Sequence, residues 1–364
     1  MALEQLRARL TEIDRELLAL VAERERLSRQ IVDAKRRDGL ATRDYAREKT
    51  VLEGARAEAR RLGLSEKLAE TLVRRLIEAS LTSQEAHRLA SEGRGGGRRA
   101  LVIGGAGKMG RWFADFLSSQ GYAVALADPG GDVEGYVCHA DWRDTGCDHD
   151  VIVIATPMKV ANQVLLEMAA HPPRGLVLDI GSLKSPLREG LAAAAARGVR
   201  VASIHPMFGP DAELLSGRHV VFVDTGVPDA TRDARALFAS TMARQVEMSL
   251  DEHDRLIAFV LGLSHALNIV FFTALAQSRE AIPKLADMSS STFDAQLGVA
   301  SRVALDNPRM YFEIQSLNGF SEEALGALEA AVGQLCSAVR RGDESQFVMM
   351  MTRGREYFRE LRQG

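Results

Sequence analysis

Cysteine is scarce. Cys138, Cys147 and Cys336 are the three in 364 residues, and their spacing matches no metal-ligand pattern. This excludes a disulfide framework, leaves no metal site to expect and fits a reducing cytoplasm. Excess charge is also lacking. Lys and Arg number 46 against 49 Asp and Glu, a net charge of −3, so neither nucleic acid nor an anionic membrane is an expected partner. The N-terminus, MALEQLRARL, has no apolar core of a secretory signal. One long apolar run exists. Residues 256–276 (LIAFVLGLSHALNIVFFTALA) hold no Asp, Glu, Lys or Arg and are long enough to span a bilayer. Ser264, His265, Asn268 and Thr273 lie inside the run, and charged helices flank it closely. A helix buried on all sides, in a core or subunit interface, is therefore expected over a membrane span.

What is present is more specific. Gly105-Ala106-Gly107-Lys108-Met109-Gly110 reads G-x-G-x-x-G. Such a loop usually opens its domain, yet roughly a quarter of this chain precedes it. A complete upstream unit is implied, and the length allows two or three domains with real cores.

Residues 1–90 read as helix. Leu3, Leu6, Leu10, Ile13, Leu17, Leu20, Leu27 and Ile31 follow a 3-4 spacing, which predicts one long helix to about Arg37, stopped by Asp38-Gly39. Asp44 can cap a second helix, ending near Leu62-Gly63. Ser65 can cap a third, with Leu68, Leu72, Leu76 and Ile77 as its stripe. Three such helices bury their faces poorly alone, so dimerisation is expected. Residues 91–98, Ser-Glu-Gly-Arg-Gly-Gly-Gly-Arg, have the composition of a flexible linker. Apolar strands then alternate with helices at 100–105, 122–128, 151–157, 176–182, 201–206 and 220–224, the pattern of a doubly wound parallel sheet. From about Leu250 the chain returns to helix.

A lone glycine fingerprint is weak evidence, because any glycine-rich turn can match it. Here an apolar strand precedes it, a helix follows, and the next strand ends in an acid. Gly105 is expected to permit the tight turn, Gly107 to let the backbone approach a pyrophosphate, and Gly110 to allow close helix packing. Lys108 and Met109 open the helix whose amides and dipole would meet the phosphates. Asp128 stands where a carboxylate would bind both ribose hydroxyls. No arginine follows until Arg143, so NAD is expected over NADP. Thr156 and Pro157, ending the strand at 151–157, are expected to border the nicotinamide side.

His205-Pro206-Met207-Phe208-Gly209-Pro210 follows a strand end, where open sheets of this type place ligands. A histidine beside a turn is more often a structural hydrogen-bonding group. The motif, however, closely resembles that of the prephenate dehydrogenase family. Agreement continues through Leu178 to Lys184, Glu252-His253-Asp254, Leu263-Ser264-His265, and Arg302 with Asp306-Asn307-Pro308 and Tyr311. The resemblance spans about residues 99–364. It implies NAD-dependent oxidative decarboxylation of prephenate to 4-hydroxyphenylpyruvate. It makes His205 the acceptor of a hydrogen bond from the 4-hydroxyl, and Arg302 a bidentate partner of a substrate carboxylate. Neutral His205 is the acceptor, so the rate should rise through a histidine value of about 6.5. Ser182, Lys184 and His265 become further contributors, although Lys184 could equally lie on the surface and His265 could be a satisfied core histidine. Some family members have an arginine eight positions before Arg302, where this sequence has Asp294. An acid there could admit an amino-bearing analogue, arogenate or 4-amino-4-deoxyprephenate.

The upstream helices resemble the all-helical chorismate mutase family at Arg7, Arg24, Lys35, Asp44, Arg47, Glu48, Ser80 and Gln84. Residues 1–90 hold 16 arginines, so a solvated arginine-rich bundle is the plainer alternative, and single arginine matches count for little. Lys35, Ser80 and Gln84 are scarcer types and carry the match. Lys35 lies three turns after Arg24 on the same face, about 16 Å along the axis. Arg7 lies about 25 Å from Arg24 on another face and suits a partner's pocket, which predicts an intertwined homodimer. The resemblance implies a Claisen rearrangement of chorismate to prephenate. Arginines would hold the carboxylates, Lys35 and Gln84 would donate to the ether oxygen, and Glu48 would orient the ring hydroxyl.

The expected organisation is multidomain. An all-α mutase unit (1–90) and a linker (91–98) precede an α/β doubly wound Rossmann domain (99–248) and an all-α substrate and dimerisation domain (249–364). A 3-hydroxyacid dehydrogenase with an unrelated arm would share only the glycine loop. A non-catalytic sensor of chorismate or NAD would keep both residue sets without chemistry.

Overall fold

A computed structural model describes residues 3–38 and 43–360. The chain divides into two compact units, Met1–Gly181 with Glu189–Met248, and Ser182–Arg188 with Ser249–Gly364.

The first unit begins with three helices, α1 (Leu3–Arg37), α2 (Tyr45–Leu62) and α3 (Glu66–Glu92). The caps read from the sequence are in place: Asp44 accepts the amide of Arg47 at 2.9 Å, and Ser65 that of Leu68 at 3.4 Å. α1 ends at Arg37, and the expected stop residue Gly39 lies outside the described residues. The carboxyl half of α1 packs on α3, where Ser28 and Val32 are buried. The expected stripe is otherwise bare: Leu3, Leu6, Leu10, Ile13, Leu17 and Leu20 are exposed, as are Leu68 and Leu72 of α3.

The sheet follows, with β1 (Arg99–Ile103), α4 (Lys108–Ser119), β2 (Ala123–Ala127), β3 (Val137–His139), β4 (Val151–Ile154), α5 (Met158–Ala170), β5 (Leu176–Asp179), α6 (Arg188–Ala196), β6 (Arg200–Pro206), β7 (His219–Val223), α7 (Pro228–Leu237) and β8 (Arg244–Met248). The strand order is β3-β2-β1-β4-β5-β6-β7-β8. The order reverses between β1 and β4, so their carboxyl ends form the switch point at which such sheets bind ligands. One expectation needs correction. The sheet is not parallel throughout, because β7 runs antiparallel to β6 and β8 follows β7. The connection 207–218 has no crossover helix to carry the chain back, so β7 must return in the opposite direction. β3 and β8 were not expected. One is three residues long, and the other is a polar edge strand.

The glycine-rich segment 91–98 is not a flexible linker. α3 runs into it as far as Glu92. Gly95 donates to Gln120 O at 2.8 Å and Gly97 to Gly121 O at 2.9 Å. A Cβ on Gly93 would stand 2.5 Å from Gln120 O, and one on Gly95 would strike Gly121. These glycines serve close backbone approach. Leu89 of α3 packs against the sheet's core, a cluster that includes Phe113, Phe116 and Phe238.

The second unit is helical: α8 (Leu250–Ile257), a π-helical turn at Ala258–Leu263, α9 (Ser264–Gln277), α10 (Ile282–Asp287), α11 (Ser291–Ala304), α12 (Pro308–Ser316), α13 (Ser321–Arg341) and α14 (Glu344–Glu360). The apolar run lies in the helical stretch Leu250–Gln277, which is long and apolar enough to cross a membrane by length and composition. It is not enclosed on all sides in this chain: Leu256, Phe259, Val260, Leu267 and Val270 are exposed. Asn268 and the π-helical turn bond to neighbouring helices. Gln296 donates to Asn268 Oδ1 at 2.9 Å, and Gln315 donates to Gly262 O at 2.8 Å.

Candidate active sites

The loop from β1 to α4 sits at the switch point. Its left-handed residue is Gly104, with φ +84°, rather than Gly105. A Cβ on Gly104 would meet Ala155 O at 2.7 Å, and one on Gly105 would meet Leu126 at 2.8 Å. A Cβ on Gly110 would collide with Gly104 O, so α4 can lie this close to the loop only with glycine there. Gly107 caps α4 without a side-chain hydrogen bond, so the positive end of the α4 dipole, at Lys108 and Met109, stands beside the glycine loop where an anion is favoured. Asp128, just past β2, accepts the amides of Ala106 at 3.0 Å and Gly130 at 2.7 Å. Its carboxylate is therefore fixed against the fingerprint. Thr156 and Pro157 follow β4, with Pro157 capping α5, and Thr156 Oγ1 is buried without a partner. A glycine cradle, a helix N-terminus, a fixed carboxylate and an orphaned hydroxyl together suit a dinucleotide.

His205 is buried near the carboxyl end of β6, opposite Val221 of β7. Beneath it, Ser203 donates to the fully buried Asp179, which also accepts the amide of Gly181 at 2.7 Å. Phe208, three residues on, packs its ring at a tilt of 57° against Trp112 of α4, 4.9 Å between centroids.

In the second unit, Lys184 is not a surface lysine, being 0% exposed. Asp254 of α8 organises its segment by accepting the amides of Lys184 at 2.9 Å and Ser185 at 2.5 Å, together with the Ser185 hydroxyl. His253 Nδ1 adds a contact at 2.7 Å. Burial alone would push the Asp254 carboxyl up, but these donors outweigh it and hold the group below its ordinary value. Ser182 is half-buried at the start of this segment. His265 is not a satisfied core histidine. Its Nδ1 is buried without a partner, its ring lies 4.4 Å from that of Tyr311, and burial lowers its pKa. Arg302 is exposed on α11, its Nε donating to Gly298 O at 3.2 Å. Asp294, in the first turn of α11, accepts the Ser289 hydroxyl. A carboxylate there complements the helix dipole whatever the substrate.

Among the mutase candidates, the structure aligns Arg24, Ser80 and Gln84 along the seam of α1 and α3. Arg24 donates to Ser80 Oγ and, at 2.6 Å, to Leu76 O; Ser80 in turn donates to Glu25 at 2.7 Å. Gln84 donates to Ser28 Oγ at 2.6 Å. Lys35 is half-buried further along α1. No hydrogen bond or ion pair among the described residues links Arg7, Asp44, Arg47 or Glu48 to that row. Arg7 is exposed near the far end of α1, Asp44 caps α2, and Arg47 is exposed. Glu48 pairs with both arms of Arg43, at 2.8 and 2.9 Å, and this ion pair raises the Arg43 pKa. Ser28, Glu25 and Asp254 were missed. Ser28 carried a local signal, four residues after Arg24; Asp254 lay in a matched motif, but its partners are 70 residues away.

A dinucleotide fold with its cradle at the switch point, a buried histidine at a strand end and helical units on both sides defines a multidomain dehydrogenase. Family comparison resolves the parts. Residues 6–85 match chorismate mutase type II, 136–247 the nucleotide-binding domain of prephenate dehydrogenase, and 249–353 its dimerization domain. The chain is 28% identical over 363 residues to the T-protein of Enterobacter agglomerans, covering 98% of this chain and 93% of the relative. It is 33% identical over 263 residues to a 4-amino-4-deoxyprephenate dehydrogenase of Streptomyces pristinaespiralis, covering 69% and 88%. By fold it is similar to prephenate dehydrogenase from A. aeolicus, solved with hydroxyphenyl propionate and NAD+, with a TM-score of 0.57, 18% identity and coverage of 72% and 98%. The chain belongs to the prephenate dehydrogenase family, with a type II chorismate mutase domain fused ahead of it.

Proposed function

We propose that the chain is a bifunctional enzyme of tyrosine biosynthesis. Its mutase domain rearranges chorismate to prephenate. Its dehydrogenase then converts prephenate, with NAD, to 4-hydroxyphenylpyruvate and CO2. The observation that carries this reading is that the Arg24–Ser80 and Ser28–Gln84 row and the dinucleotide cradle occur on one chain. The division into 1–90, 91–98, 99–248 and 249–364 is our working assignment.

The rearrangement needs no nucleophile or cofactor. Arg24, Arg47 and a partner's Arg7 would hold the two carboxylates in the compact reactive conformer. Lys35 and Gln84 would donate to the ether oxygen as negative charge develops there. Glu48 would release Arg43 to orient the ring hydroxyl, and Ser80 and Asp44 would fix the neighbouring groups.

In the second reaction, Gly105, Gly107, Lys108, Met109 and Gly110 would hold the pyrophosphate, Asp128 the ribose, and Thr156 with Pro157 the nicotinamide side. Bound NAD supplies the hydride acceptor. Neutral His205 would accept the 4-hydroxyl hydrogen bond and raise electron density at C4, the carbon that loses hydride. CO2 leaves C1, and its bonding pair completes the aromatic ring. Arg302 would pair with a carboxylate; Ser182, Lys184 and His265 would complete the substrate contacts.

The bare stripe of α1 and the exposed apolar residues of α9, α13 and α14, among them Leu267, Val332 and Phe347, support a homodimer. Three free cysteines agree with a cytoplasmic setting.

Supplying chorismate and NAD and following prephenate and NADH together tests the proposal. NADH should form only after prephenate does. Binding of both ligands without NADH would favour a sensor instead. Comparing kcat/KM for prephenate, arogenate and 4-amino-4-deoxyprephenate tests the substrate.

A further inference from the structure

α1 and α3 run parallel and in step. Arg24 meets Ser80, Ser28 meets Gln84, and Asp33 meets His87, so successive turns of one helix face successive turns of the other. Ser28 stands four residues after Arg24 and seven before Lys35, which places all three on one face of α1. Ser28 is 7% exposed and Gln84 8%. Serine is a weaker helix former than alanine, and a buried hydroxyl costs free energy unless it is hydrogen-bonded. The partner that Ser28 has is the Gln84 amide, 2.6 Å away.

A primary amide carries two hydrogens and an acceptor oxygen. Its terminal torsion is soft, so a glutamine held only by its own helix samples many orientations. A donor that must meet a developing charge loses effect when it wanders. Ser28 is short, lies within a long helix and takes one of the two hydrogens. No further hydrogen bond to protein holds the amide among the described residues, so its second hydrogen is available to a ligand.

We propose that Ser28 is a positioning residue of the mutase: its Oγ accepts one amide hydrogen of Gln84 and turns the other toward the ether oxygen of chorismate. Ser28 acts through Gln84 and does not touch the substrate. The inference rests on reading Gln84 as the transition-state donor.

The test measures mutase kcat and KM separately in the full chain for Ser28→Ala, Ser28→Cys, Gln84→Ala and the Ser28→Ala/Gln84→Ala double variant. Dehydrogenase activity on supplied prephenate reports folding. Ser28→Ala should lower mutase kcat about tenfold with KM within about twofold, because the donor is misplaced rather than removed. Ser28→Cys, nearly isosteric but a weak acceptor, should fall similarly. In the Gln84→Ala background the Ser28 change should have no further effect on kcat, since the group it orients is gone. Wild-type kcat in Ser28→Ala, or an undiminished loss when Gln84 is already absent, overturns the proposal. Full mutase activity in Gln84→Ala would instead overturn the reading of the donor itself, and the proposal with it.

Discussion

The Glu85 carboxylate accepts the backbone amide of Leu215 at 2.9 Å, across 130 residues of sequence. Its other oxygen accepts the amide of Met242 at 2.8 Å. Glu85 follows Gln84 on α3, and Leu215 lies in the loop that follows the His205–Pro210 motif. One buried side chain thus ties the mutase helices to the sheet. Burial pushes the Glu85 carboxyl above its ordinary value, and the two amides offset only part of that shift.

Replacing Glu85 by Ala should therefore be costly. Two amides, one buried and one half-buried, would lose their acceptor, at about 2–4 kcal/mol in total. The pH dependence has a definite sign. A carboxyl whose folded pKa is raised binds its proton more tightly in the folded state. Its contribution is greatest at acid pH and is lost as pH rises from the ordinary value through the raised one. Denaturant midpoints from acid to neutral pH should show that slope in the natural protein and lack it in Glu85→Ala.

Such a tie was not legible in the sequence, whereas local features were. Asp44 and Ser65 cap helices because their side chains reach amides within three residues. The central strands stood out because both faces are buried, so each reads as an unbroken apolar run. β8 did not, since Arg-Gln-Val-Glu-Met at a sheet edge has little apolar signal. The fingerprint placed the tight turn one residue late, on Gly105 instead of Gly104, because the motif records spacing and not φ. Lys184 was ambiguous for a deeper reason. A lysine reads as polar wherever it lies, and the carboxylate that holds its backbone amide, Asp254, is 70 residues away. Long-range polar partners leave no periodic trace.

Gly110→Ala tests the dinucleotide cradle. Its Cβ would collide with Gly104 O, and the obstacle is backbone with little room to yield. NAD affinity measured by titration calorimetry should fall at least about tenfold, a loss of roughly 1.4 kcal/mol. Mutase activity should survive. Undiminished NAD affinity would remove the cradle from the assignment.

Gln84→Glu tests the mutase donor through pH. The natural amide donates at every pH, so mutase activity should persist above neutrality. A carboxyl donates only when protonated. The variant should therefore be active at acid pH and fall away as pH rises. Activity at about pH 8 equal to the natural enzyme would refute the donor role, because an ordinary glutamate is ionised there.

Asp254→Asn tests the segment around Lys184. The carboxylate accepts from Lys184, Ser185 and His253, and an asparagine has one acceptor oxygen for these donors. A loss of about 2–4 kcal/mol in stability is expected, with dehydrogenase activity falling and mutase activity retained. The folded pKa of Asp254 is depressed, so its contribution is present above the ordinary carboxylate value and lost as pH falls through the folded one. Acid unfolding of the natural protein should show this loss, and Asp254→Asn should not.

The last prediction separates two histidines. Burial holds His265 below its ordinary pKa, and its unpartnered Nδ1 gives it no anchor for a proton. It should take up a proton less readily than a free imidazole. In the proposed role, neutral His205 accepts the hydrogen bond from the 4-hydroxyl, so the acid limb of the dehydrogenase rate should belong to His205. His265→Asn should change KM for prephenate and leave the midpoint of that limb in place. His205→Asn should lower kcat by roughly 10²–10⁴-fold and abolish the limb. Rates measured at saturating NAD across mildly acid to neutral pH distinguish the roles. A flat profile in the natural enzyme would sink the role given to His205, and a limb displaced in His265→Asn would transfer it to His265.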